Sequence, residues 1–271
     1  MSEGTVTSAD GTTIAYTAWG AGDPIVIIDG ATAYRATNPL NRETAELLAG
    51  EFLVINYDRR GRGESGDTLP YAVEREFEDL AAIIEQAGQG RPATVFGWSS
   101  GGNLALNAAH HGGPITRVAV FEPNAAVDDA RPPLPGDYVE RLDAAIADGR
   151  PGDAVALFMT AAVMLPDEAV AGMREMDFWA GLEAVAPTIA YDGRQVGDAL
   201  AGRPLRPGLW KNIDVPVLVM YGADTWPALA AGSRAIAAHL PASTLEPVPG
   251  EEHSTTADVL AAALRAFIKE N

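Results

Sequence analysis

Residues 96–103 read FGWSSGGN: two serines inside a glycine cluster, behind the apolar Thr94-Val95-Phe96 and ahead of Leu104-Ala-Leu-Asn-Ala-Ala. The apolar triplet suits a buried strand and the alanine- and leucine-rich run suits a helix, so the glycines sit at a strand–turn–helix junction. Gly97-Trp98-Ser99-Ser100-Gly101 is then a G-x-S-x-G turn. At its flanking positions a Cβ would collide with neighbouring backbone, which leaves the central residue strained and exposed. That geometry separates the serines. Ser99 is central and is the expected nucleophile, whereas Ser100 supplies the next backbone N–H, at a helix start where a developing oxyanion is stabilised.

A serine hydroxyl attacks only if a base takes its proton, and the chain has four histidines. His110 and His111 close the helix that follows the turn, and His239 lies in the last turn of another; a helix C-terminus favours a cation in all three cases. His253, in Gly250-Glu-Glu-His-Ser, falls in a loop between the last strand pattern and the last helix pattern, at the C-terminal edge of the expected sheet. It is the expected base. The third member is a carboxylate that orients the imidazole. Asp224, in Tyr221-Gly-Ala-Asp-Thr, follows a strand and completes the chain order Ser99, Asp224, His253, although it equally suits a helix N-cap. Glu122, just beyond the strand pattern at 117–121, is the alternative acid.

Working outward, short β-branched runs at 25–28, 53–57, 94–96, 117–121, 215–221 and 244–248 alternate with helical patterns at 71–86, 104–110, 227–239 and 256–269, behind a hairpin at 6–8 and 12–18. Strands alternating with helices predict an α/β fold, a mostly parallel central sheet with helices on both faces. From 124 to 212 the alternation stops. Helical patterns at 136–147, 152–164 and 168–185 with no convincing strand predict a helical cap inserted into a core formed by 1–123 and 213–271.

These residues resemble the α/β-hydrolase fold superfamily over nearly the whole chain. Besides the G-x-S-x-G turn and the late histidine, Asp58-Arg-Arg-Gly-Arg-Gly-Glu-Ser65 looks like the family's D-x-R-G-x-G-x-S loop after the fourth strand. The resemblance implies α/β-hydrolase architecture, with 124–212 as the lid between strands six and seven. Asp29-Gly30-Ala31-Thr32 stands where family members typically carry His-Gly. An oxyanion hole needs only backbone N–H groups, so Ala31 and Ser100 are its expected donors, and Asp29 opposes an oxyanion if it faces the site. Asp224 lies two residues after Gly222, where many relatives place the acid three after that glycine, so Glu122 stays open.

The chain has 271 residues and no cysteine, which excludes disulfides and thiolate chemistry. Its net charge of −18 argues against nucleic acid and anionic membranes as partners. No signal peptide or membrane span is visible, which predicts a soluble, cytoplasmic protein. Arg59, Arg60 and Arg62 read chiefly as a turn salt-bridged to nearby acids, with anion binding as the alternative. No metal or other cofactor is expected. Trp98, Tyr34 and Trp179, with Phe158, Met159, Met164, Met173, Met176, Phe178 and Tyr191, are candidates to line a pocket for a partly apolar acyl substrate. The expected function is hydrolysis of an ester, lactone or thioester through an acyl-enzyme on Ser99. The alternatives are a cofactor-free lyase, acyltransferase or other tailoring enzyme, or a non-catalytic small-molecule binder on the same fold.

Overall fold

In the computed structural model, which describes residues 1–202 and 204–270, eight strands form one sheet. The strands are β1 (Ser2–Thr7), β2 (Thr13–Gly20), β3 (Pro24–Ile28), β4 (Leu53–Tyr57), β5 (Ala93–Trp98), β6 (Ile115–Phe121), β7 (Val217–Asp224) and β8 (Ser243–Glu251), in the order β1-β2-β4-β3-β5-β6-β7-β8. β2 runs antiparallel to β1 and β4, and every later pairing is parallel.

The central strands are buried on both faces, and their side chains alternate between two cores. In β3, Val26 and Ile28 pack on one face while Ile25 and Ile27 pack on the other. The first face is covered by α2 (Val73–Ala82), α3 (Ser100–His111) and α9 (Pro227–His239), through Leu80, Leu104 and Ile236. The second is covered by α1 (Pro39–Leu48) and α10 (Ala257–Glu270), through Leu48, Leu260 and Leu264. Such a doubly covered parallel sheet explains why these strands read as continuous apolar runs.

Between β6 and β7 lie α4 (Tyr138–Ala147), α5 (Pro151–Leu157), continued by one π-helical turn over 158–162, α6 (Asp167–Met173), α7 (Trp179–Val185) and α8 (Ile189–Leu200). They share a separate cluster that includes Tyr138, Leu142, Val155, Trp179 and Ile189. The single helix expected over 168–185 is two, broken by turns at 174–178. α8 was not expected, because Gly193, Gly197 and the buried Asp192 obscure its period. α1 was also not expected, though Pro39 at its first turn is a usual start signal. No helix among the described residues is long and apolar enough to cross a membrane.

Candidate active site

The chain turns sharply between β5 and α3 at Ser99, whose φ is 54° and ψ −123°. The turn closes only without side chains at its flanks: a Cβ on Gly97 would lie 2.3 Å from the Gly101 carbonyl oxygen, and one on Gly101 would lie 2.5 Å from that of Ile28. Positive φ costs a non-glycine residue of order 1–3 kcal/mol and persists only where surrounding structure enforces it. Ser99, Glu122 (φ 47°) and His253 (φ 64°) all adopt it, as do Thr32 and Met164 nearby. Gln89 and Trp210 share it elsewhere in the chain.

Ser99 and His253 line one cavity of about 70 Å³, together with Ala31, Ser100 and Asn124. That is room for several waters or a small substrate fragment. The rest of the wall is largely apolar, from Leu134, Phe158, Val163 and Met164 of the inserted segment to Trp226 and Leu229 of the core. The Ser99 Oγ accepts a hydrogen bond from the Asn124 side-chain amide at 3.2 Å. Asn124 is itself fixed, since its backbone N–H donates to Asn103 Oδ1 at 2.8 Å.

The carboxylate brought to His253 is Glu122. Its Oε2 is hydrogen-bonded to the imidazole Nδ1, and its Oε1 accepts the Gly222 N–H at 2.9 Å. Glu122 is fully buried, so both oxygens are spoken for inside the protein. Asp224 is corrected on this point. It stays in the β7 ladder opposite Glu251, exposed, and among the described residues it makes no hydrogen bond or ion pair with His253. The physical reason is the left-handed turn at Glu122, which lifts that side chain out of the β6 ladder.

Asp29 does not face the cavity as a free charge. It is fully buried, and its carboxylate accepts from the amides of Asn38 and Asn41, both at 2.7 Å, and Asn56 at 3.0 Å. Burial pushes its carboxyl up, against the lowering effect of the Asn56 and Asn38 amides. Next to it, a Cβ on Gly30 would come within 3.3 Å of Ser99 Cβ, so the Gly30–Ala31 peptide lies against the elbow. Arg62 Nη1 donates to the Gly30 carbonyl at 2.7 Å. In a trans peptide the N–H points opposite to the C=O, so this bond turns the Ala31 N–H away from Arg62 and polarises it. Neither the Ala31 N–H nor the Ser100 N–H donates to any group among the described residues.

The three arginines of the fourth-strand loop are buried in ion pairs. Arg59 holds Glu76 with two bonds of 2.6 and 2.7 Å, and Arg60 holds Asp79 with two of 2.7 Å. Asp192, on α8, binds Arg59 Nη1 at 2.6 Å through one oxygen and Arg62 Nη2 through the other, and it also accepts from the Ser100 hydroxyl at 2.8 Å. Burial works to raise the Asp192 carboxyl, but Arg59 and Arg62 hold it below the usual carboxylate range. One carboxylate of the inserted helices thus reaches both peptides beside Ser99, one through Arg62 and one through Ser100.

Of the other expected lining residues, Trp98, Tyr34 and Trp179 do not line the cavity. Trp98 stacks on Phe121 at 4.2 Å, Tyr34 borders a separate surface depression with Arg35 and Asp58, and Trp179 is buried in the inserted cluster with its Nε1 on Glu183. Phe158 and Met164 do line it, whereas Met159, Met173, Met176, Phe178 and Tyr191 do not. Asn124, Asp192 and Trp226 were missed; only Asn124, two residues past the strand-end Glu122, carries a positional signal. Among the described residues no group of three or more His, Cys, Asp or Glu is arranged to hold a metal ion.

The sequence profile of the alpha/beta hydrolase family matches residues 20–263. An alpha/beta hydrolase from Sphaerobacter thermophilus DSM 20745 superposes with a TM-score of 0.86 and 47% identity, covering 98% of this chain and 100% of that one. A thermophilic esterase from Thermogutta terrifontis, 22% identical, shares the fold at a TM-score of 0.72 over 100% of this chain and 99% of that one. The non-heme chloroperoxidase of Streptomyces lividans is 28% identical over 98% of this chain and 99% of its own length.

Proposed function

The chain belongs to the alpha/beta hydrolase family, and on that premise we propose that it is a serine hydrolase that cleaves an ester, lactone or thioester through an acyl-enzyme on Ser99. The observation that carries this reading is that Ser99, at a sharp strand–helix turn, lines the same cavity as a histidine whose Nδ1 is held by a buried glutamate. Ser99 Oγ adds to the acyl carbonyl while His253 Nε2 takes its proton. The N–H groups of Ala31 and Ser100 receive the oxyanion. On collapse the carbon–heteroatom bond breaks and His253 gives the proton to the departing alkoxide or thiolate, a proton that in a lactone stays on the same molecule. Water, deprotonated by His253, then adds to the acyl-enzyme, and Ser99 leaves with the proton returned. Glu122 holds the tautomer with the proton on Nδ1 and faces the imidazolium that forms. The apolar wall suits an acyl group that is partly apolar.

Incubation with a fluorophosphonate, read by intact mass, tests this. The wild type gains one adduct, and Ser99→Ala and His253→Ala gain none, with turnover of responsive esters falling by about 10⁴-fold or more. A folded wild type that forms no adduct and cleaves no ester refutes the reading. A second reading, halide oxidation with peroxide, is favoured by the full-length similarity to a non-heme chloroperoxidase. Peroxide-dependent halogenation of an electron-rich acceptor, lost in Ser99→Ala, is its test.

A further inference from the structure

Four arginines of the described chain are buried: Arg59, Arg60, Arg62 and Arg131. The first three have carboxylate partners. Arg131, 5% exposed, forms no ion pair with a carboxylate among the described residues; its side chain has one hydrogen bond, from Nη2 to the Ala162 carbonyl at 2.7 Å. It lines the cavity that holds Ser99 and His253. Burial pushes its guanidinium down to about 10, with only the Tyr138 hydroxyl acting the other way, so it remains a cation at neutral pH.

A buried cation with no counter-ion destabilises a fold, and one retained in a cavity invites an anion from outside. Asp192, which lines the same cavity, is not that anion, because its oxygens are occupied by Arg59, Arg62 and Ser100. The remaining titratable neighbours, Tyr138 and His253, supply no negative charge to it. The Nη2–Ala162 bond anchors one edge of the fork and leaves donors for a planar acceptor. We propose that Arg131 binds a carboxylate on the substrate, at a point separate from the acyl carbon that Ser99 attacks, and so selects anionic substrates such as half-esters of dicarboxylic acids. This rests on the serine hydrolase reading and adds its substrate class. It also runs against the protein's long-range field: at net charge −18 the chain repels anions until they reach the cavity, so the local contact has to supply the selectivity.

The test compares monomethyl esters of C4 to C8 dicarboxylic acids with methyl alkanoates of equal length, followed by acid release. In the wild type at least one half-ester is preferred over its neutral counterpart. In Arg131→Met the ratio of the two kcat/KM values falls by about 10- to 100-fold, chiefly through KM, and Arg131→Lys recovers part of it. A binding measurement separates this proposal from the chemistry. Calorimetry with monomethyl adipate on Ser99→Ala should show binding that weakens by about tenfold when Arg131→Met is added. Arg131-dependent binding without any ester turnover would sustain the recognition role and sink the hydrolase reading. Turnover of both ester classes with an unchanged ratio, or half-ester binding indifferent to residue 131, overturns the proposal. Thermal melting guards the comparison, because removing an unpaired buried cation should leave Tm equal or higher; a marked fall would assign Arg131 to holding Ala162 instead and overturn it too.

Discussion

Replacing Glu122 by glutamine tests the acid of the site with a change of one atom. The carboxylate accepts twice, from the Gly222 N–H at 2.9 Å and from Nδ1 of His253. A glutamine has one acceptor oxygen. With that oxygen on Gly222, the amide NH₂ faces Nδ1 and donates to it, which moves the ring proton to Nε2 and removes the base. With the amide flipped, NH₂ opposes the Gly222 N–H in a site without solvent, at a cost of about 1–3 kcal/mol. The productive orientation is therefore populated about 5- to 150-fold less than the unproductive one. The missing negative charge beside the imidazolium adds to that, and the total approaches the roughly 10⁴-fold loss that the corresponding aspartate-to-asparagine exchange causes in serine proteases. We expect kcat for Glu122→Gln to fall by about 10³- to 10⁴-fold, with Asp224→Asn within about threefold of wild type. Steady-state kinetics on any ester that labels Ser99 would measure both. Near-normal turnover in Glu122→Gln, with a loss of 100-fold or more in Asp224→Asn, would refute the reasoning.

Asp192→Asn leaves Arg62 without a carboxylate and Arg59 with Glu76 alone; breaking a buried pair costs about 3–5 kcal/mol, or about 6 to 20 °C in Tm for a chain of this size. Because the folded Asp192 carboxyl is held low, that difference is full above the unfolded value near pH 4 and shrinks as pH falls through the folded value. Melting curves of wild type and variant at pH 7, 5 and 3 check it, and a gap that does not narrow in acid would count against the ion pairs as its source. Gly101→Ala brings a Cβ within 2.5 and 2.6 Å of two backbone oxygens, so it should lower stability by about 1–3 kcal/mol and displace the elbow, seen as loss of both Tm and fluorophosphonate labelling.

The architecture is legible in the sequence because its signals are local. Doubly buried strands such as Ile25–Ile28 announce themselves as apolar runs, and the elbow needs glycine at 97 and 101 for reasons that act within a few residues. His253 could be singled out because the other three histidines end helices. The acid was the wrong one of two, since Asp224 closes β7 and Glu122 directly follows β6, so that both stand at a strand end. Which one meets His253 depends on how β6, β7 and β8 stack and on a left-handed turn at Glu122 that no neighbouring residue signals. The Arg59-Arg60-Gly-Arg62 cluster signalled a need for carboxylates, yet its partners sit 17 to 133 positions away. Arg131 carried no signal at all: an arginine between Asp128-Asp129-Ala130 and Pro132-Pro133 becomes informative only when its side chain is seen buried in the cavity and bonded to a backbone carbonyl rather than to a carboxylate.

The carboxylate of Asp192 bears on how this chain could diverge or be re-engineered. Helices inserted into a sheet fold invite exchange: a chimera would take residues from a relative between β6 and β7 and keep the strands. Here such a graft would leave Arg62 stripped of its counter-charge and Arg59 half-paired, and would free the Ser100 hydroxyl beside Ser99. The transplant succeeds only if the donor segment brings an acid to the same spot, or if both arginines are exchanged with it for apolar residues. The inserted helices and the loop at 59–62 therefore form one heritable unit, although 133 and 130 positions separate Asp192 from Arg59 and Arg62.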